Sequence, residues 1–121
     1  MIRGSLVLTT LLLASLPAAA HEVLNGPHGG RVVEAGTHHV ELVVKAKVVD
    51  VFVTDANDKE VPIAGYKAIA ILTAAGKAQR IELAPRDDRL SGTSPVDLPD
   101  SPKGVVQLTS PDGKTAQGRY H

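Results

Sequence analysis

Four of the chain's five histidines, His21, His28, His38 and His39, fall within a stretch of nineteen residues. Imidazole is the commonest protein ligand for transition metals, so a cluster of this kind points to metal binding. His28 sits in Asn25-Gly26-Pro27-His28-Gly29-Gly30, where three glycines let the backbone approach a neighbour closely and adopt positive φ. The plain alternative is a flexible lead-in with a solvated ring; three further histidines nearby favour ligation. His38 and His39 are adjacent, and on a strand adjacent side chains leave opposite faces. One ion therefore takes only one of them unless the strand end is irregular. His39 shares its face with Glu41, and this His-x-Glu spacing suits a carboxylate that binds the ion or orients the imidazole through a hydrogen bond. Glu41 could equally be a solvated residue on a polar face. His38 points to the side of Val40, at a strand edge where it could meet the glycine-rich loop. Spacing does not choose between the two.

His21 gains weight from its position. Arg3, an apolar stretch from Leu6 to Leu16 and the small residues Ala18-Ala19-Ala20 have the form of a cleaved export signal, residues 1–20. Cleavage after Ala20 makes His21 the first mature residue, with an α-amine and an imidazole available for chelation. An α-amine has a reference pKa of about 7.7–8.0, so binding must displace a proton, which a metal with strong nitrogen affinity does. A frayed terminus is the alternative. His121, at the far end, reads as a solvated tail.

The chain has no cysteine, and its single methionine, Met1, leaves with the leader. Without soft sulfur ligands a Cu(I) carrier is disfavoured, and imidazole with carboxylate suits Cu(II) or Zn(II) ahead of Ni(II) or Co(II). The tripeptide His21-Glu22-Val23 lacks the third-position histidine of a simple amino-terminal square-planar site.

The compartment expected is the periplasm. An eleven-residue apolar core is too short to span a bilayer, which takes about 20 residues in a helix. No cysteine follows it to carry a lipid anchor, and no later segment reads as membrane-inserted. Residues 21–121 make one domain with a modest core. They carry 12 basic and 13 acidic residues without a basic tract, which argues against nucleic-acid partners.

The elements that must position these histidines read as strands. His38 to Val44 and Val48 to Thr54 are rich in β-branched residues and bounded by turn-formers. A hairpin through Lys45 to Lys47 places Val40, Leu42 and Val44 on one buried face with Val49, Val51 and Val53. His39 and Glu41 then take the other. Further strands are expected at Arg31 to Ala35, Tyr66 to Thr73, Gln79 to Leu83, Val105 to Ser110 and Thr115 to Tyr120. Ala68 to Ala75 has the alanine content of a helix, but the alternation of Ala68, Ala70 and Leu72 with Ile69, Ile71 and Thr73 and the flanking Gly65 and Gly76 favour strand. Ser91 to Lys103, rich in proline, is expected to be a long surface connection. About seven short strands predict an all-β, antiparallel two-sheet sandwich of immunoglobulin-like kind.

Other chemistries fit less well. Asp55-Ala56-Asn57-Asp58-Lys59-Glu60 has the acidic flavour of a calcium loop but puts Glu60 where glycine is required, so it reads as a turn. No Gly-x-Ser-x-Gly elbow supports a hydrolase. A copper oxygenase built on His21 would want a substrate platform, and the only aromatics are Phe52, Tyr66 and Tyr120.

Gly26-Pro27-His28-Gly29-Gly30-Arg31-Val32-Val33, then His38-His39-Val40-Glu41-Leu42-Val43-Val44, then Val51-Phe52-Val53-Thr54-Asp55, resembles a segment of periplasmic proteins of heavy-metal efflux systems. That segment occurs in small stand-alone proteins and near the start of some periplasmic adaptor subunits. The likeness spans roughly residues 26 to 75, with an echo in Gln117-Gly118-Arg119-Tyr120. It implies His28 and one of His38 or His39 as ligands. The long helical hairpin of an adaptor is missing here, so a pump-bridging role is not implied. The expectation is a non-enzymatic periplasmic domain that binds Cu(II) or Zn(II) for tolerance, buffering or delivery to an efflux complex. The competing expectation is a secreted domain that docks on an envelope or efflux partner without metal.

Overall fold

A computed structural model describes Gly4 and residues 24–121, in which every regular element is a β-strand. The chain runs β1 (Leu24–Asn25), β2 (Arg31–Ala35), β3 (His38–Lys45), β4 (Val48–Thr54), β5 (Lys67–Ala74), β6 (Lys77–Arg86), β7 (Arg89–Thr93), β8 (Gly104–Thr109) and β9 (Thr115–Tyr120). Among the described residues no helix is long and apolar enough to cross a membrane.

All neighbouring strands are antiparallel, and the order is β1-β2-β3-β4-β7-β6-β5-β8-β9. The all-β expectation holds, but hydrogen bonding links the strands into one continuous sheet instead of two separate ones. The reason lies in β6. Its ten residues outrun either neighbour: Lys77 to Leu83 pair with β5, whereas Ala84 to Arg86 pair with β7. The sheet then curls until β9 lies against β2, giving a nearly closed barrel. Tyr120 fastens that closure by donating its hydroxyl to the Val40 carbonyl at 2.7 Å. Arg31 adds two more ties, donating to the carbonyls of Pro102 and His121.

The β3–β4 hairpin has the register that its valines require. Val40 faces Val53, Leu42 faces Val51 and Val44 faces Val49, across a two-residue turn at Ala46 and Lys47. Their inner face meets Ala70, Leu72, Ile81, Leu90, Val106 and Leu108 in one core. Valine, alanine, leucine and isoleucine side chains fill most of this interior, with Tyr120 as the aromatic member of the cluster.

Two segments differ from the sequence-based expectation. The expected connection from Ser91 to Lys103 begins inside β7, whose Leu90 is fully buried against β4. The remainder is no simple surface loop, since Ser94, Leu98 and Pro102 are buried. The two-residue β1 is the other addition, and it matters because it closes a hairpin around the glycine-rich loop.

Candidate functional site

Alternation along β3 leaves His39, Glu41 and Val43 on the outer face of the barrel, opposite Val40 and Leu42. Residues on such a face are ordinarily solvated. Glu41 is only 4% exposed and its cross-strand neighbour Phe52 only 8%. The cover is the loop from Gly26 to Gly30, which the pairing of β1 with β2 turns into a hairpin tip. Within it Gly26 N–H donates to the Gly30 carbonyl at 2.8 Å and Gly29 N–H to the Gly26 carbonyl at 3.1 Å.

Glu41 holds that loop against the sheet. Its Oε2 accepts the backbone N–H groups of His28 at 2.9 Å and Gly30 at 2.8 Å, and its Oε1 lies 2.7 Å from Nδ1 of His28. A buried carboxylate needs such partners, because desolvation without them costs several kcal/mol. Sequence explains why the fit is possible. A Cβ on Gly26 would stand 2.2 Å from Cδ of Glu41, so only glycine admits the carboxylate here, and Gly29 takes φ +80° to complete the turn.

The same contacts fix the histidine. With Oε2 occupied by two amides and Oε1 facing the ring, an ionised Glu41 places the imidazole proton on Nδ1 and leaves the lone pair on Nε2. The ring stacks on Phe52 with centroids 3.6 Å apart and planes 6° from parallel. Phe52 carries the Arg89 guanidinium over its ring at 4.8 Å. That guanidinium is kept charged by Asp88 at 3.0 Å and by Asp50 at 3.5 Å, and its pKa is raised accordingly. His28 is partly open to solvent, with 36% of its side chain exposed. A carboxylate behind the proton-bearing nitrogen is the usual arrangement of a metal-ligating histidine.

The other expected ligands lie elsewhere. His39 shares the outer face with Glu41 but sits between two carboxylates, its Nδ1 2.7 Å from Asp58 and its Nε2 3.8 Å from Glu34. Asp58 is presented by the turn expected at residues 55–58, in which Asp55 accepts the N–H groups of Asn57 and Lys59. Those two bonds, that from Lys59 first, hold the Asp55 carboxyl below its ordinary value. His38 faces the opposite way and pairs its Nε2 with the Tyr66 hydroxyl at 3.0 Å. His21 lies outside the described residues. Among the described residues no three histidine, aspartate or glutamate side chains converge on a point where one ion could be held. The sequence cluster therefore separates into His28 with Glu41, His39 with Asp58 and Glu34, and His38 with Tyr66.

Phe52, Arg89, Glu34, Asp58 and Tyr66 were not singled out from sequence. Phe52 was accessible in principle. A hairpin turning at Ala46 and Lys47 pairs position 41 with position 52, which seats the ring beside the carboxylate. Asp58 and Tyr66 lie beyond the hairpin, and no local pattern links them to the histidines.

No protein-family model, curated protein or solved structure matches this chain.

Proposed function

We propose that this chain is a periplasmic, non-catalytic domain that binds one divalent transition metal, Cu(II) or Zn(II), with Nε2 of His28 as the anchoring ligand. The observation that carries the reading is the buried Glu41, which engages Nδ1 of a part-exposed imidazole and leaves Nε2 directed away from the carboxylate. In this reading Glu41 acts on the ring and not on the ion, since both its oxygens are engaged. One imidazole is too few for a stable site. The further donors proposed are the amine and imidazole of His21, and His39, which stands on the same face as Glu41 whereas His38 does not.

The immunoglobulin-like sandwich belongs to the same proposal, with the two facing halves of the curled sheet as its layers and β6 passing from one to the other. The role proposed is metal tolerance, buffering or delivery to an efflux system, in keeping with the glycine-histidine segment's resemblance to proteins of such systems. Titration calorimetry with metal analysis tests it. About one Cu(II) or Zn(II) per chain is expected, with His28→Ala costing far more affinity than His121→Ala. Absence of heat with both ions would sink the reading and favour a domain that docks on a partner without metal.

A further inference from the structure

The chain's only phenylalanine is buried on the outer face of the sheet, apart from the interior cluster. Phe52 extends from the outer face of β4, next to Glu41 in the register, while Val51 and Val53 on either side of it complete the interior. A core-filling role does not explain that position. Its contacts do: the ring lies flat beneath the His28 imidazole, at 3.6 Å and 6°.

A histidine side chain turns about two torsions. The Glu41 contact at Nδ1 restrains one distance and leaves one combination of the two torsions open, along which the ring tilts and Nε2 sweeps an arc. A flat partner at stacking distance removes the tilt. Phe52 is itself a firm partner, because it stands on a strand in the middle of the β3–β4 ladder and not on a loop. Arg89, tied to Asp50 and Asp88, lies over its ring.

We infer that Phe52 is a positioning residue that sets the plane of the His28 imidazole, so that stack and carboxylate together leave Nε2 a single direction from which to take an ion. This rests on His28 as the metal ligand proposed above. It adds that affinity depends on an aromatic ring that is not itself a ligand.

The test uses the mature chain with Phe52→Leu, Phe52→Tyr and, as a control of similar structural cost, Val53→Ala in the core. Phe52→Leu should lower Cu(II) affinity about tenfold, within the range typical of residues that support a metal ligand without touching the metal. Phe52→Tyr, which keeps the flat ring, should restore it, and Val53→Ala should leave it within about twofold despite a lower melting temperature. Proton NMR gives a second reading, unambiguous because there is one phenylalanine. Its ring signals should broaden early as Cu(II) is added.

The metal-free protein supplies a third reading. The His28 ring protons should carry an upfield ring-current shift that Phe52→Leu abolishes, and the nitrogen shifts should change from one tautomer to a mixture. Equal affinity losses in Phe52→Leu and Val53→Ala would overturn the inference. So would a His28 ring whose shifts and tautomer ignore Phe52→Leu. If the wild-type chain binds no Cu(II), the metal-binding reading fails, and the metal-free spectra still decide whether Phe52 orients the ring.

Discussion

Replacing Glu41 with glutamine changes one atom and should separate folding from binding. The carboxylate receives three donors, the His28 and Gly30 amides on Oε2 and the His28 ring on Oε1. In Glu41→Gln the side-chain carbonyl can take the place of Oε2 and keep both amides satisfied. The new NH2 group then faces Nδ1, where an acceptor stood, and the imidazole must move its proton to Nε2 to receive it. Hydrogen bonds to a charged group contribute about 1.5–3 kcal/mol and neutral ones about 0.5–1.5, so three weakened bonds lose roughly 3 kcal/mol in total. Part of that is offset because a neutral amide is cheaper to bury than a carboxylate. A net loss of about 1–2 kcal/mol follows, or a melting temperature lower by roughly 5–15 °C in a domain of this size. Glu41→Ala should cost more, about 3–6 kcal/mol, since it strands two backbone donors and empties a buried position.

Binding should respond differently. The proton now sits on the nitrogen proposed to meet the metal, so Cu(II) affinity should drop about 10- to 100-fold in a glutamine variant that still folds cooperatively. Thermal melting by circular dichroism, Cu(II) calorimetry and the nitrogen shifts of His28 measure the three effects on one sample. A folded glutamine variant with wild-type affinity and an unchanged tautomer would refute the reasoning. A glutamine variant as unstable as the alanine variant would show that charge, and not hydrogen-bond geometry, holds the loop.

Two further outcomes follow from the closures around the site. Gly26→Ala sets a Cβ 2.2 Å from Cδ of Glu41 and should cost about 1–3 kcal/mol and weaken metal binding, by displacing the carboxylate. Gly29→Ala meets no atom within 4 Å but must hold φ +80°, so it should lose about 1–2 kcal/mol of stability with little change in affinity. Equal affinity losses in the two would remove Glu41 from the explanation. Tyr120, buried and bonded to the Val40 carbonyl, has its phenol pushed above the ordinary range by burial. The unfolded chain releases that proton near pH 10 while the folded chain keeps it, so stability should fall above pH 10 by up to about 1.4 kcal/mol per pH unit. Urea titrations at pH 9 to 11 should show a shallower decline in Tyr120→Phe, alongside a loss of about 1–3 kcal/mol at neutral pH.

The parts of this molecule that are legible in sequence are those that local periodicity dictates. Alternating valines around a two-residue turn fix the β3–β4 register, and alternation along β3 puts His39 with Glu41 and turns His38 away. The alanines of β5 alternate with isoleucines and face inward, which is why that segment is a strand. What periodicity cannot carry is the burial of the outer face. Glu41 and Phe52 occupy positions that a period of two assigns to solvent, and they are buried because a loop closes over them. That cover is written as small residues and not as hydrophobicity: Gly26 has no Cβ to collide with the carboxylate, and Gly29 permits the turn. A composition of glycines around one histidine is indistinguishable from a flexible lead-in until a buried acceptor is known to lie beneath it. The short β7 is hidden for a related reason, since Ser91, Gly92 and Thr93 lack the apolar run of a strand and are held by pairing with β4 and β6. Three histidines close in sequence, His28, His38 and His39, thus separate through non-local pairing: His28 lies on a carboxylate and a ring from the β3–β4 hairpin, His38 meets Tyr66, and His39 joins a turn nineteen residues on. Among the described residues His28 is the imidazole that meets both a carboxylate and an aromatic ring of one hairpin, with its backbone N–H donated to that same carboxylate.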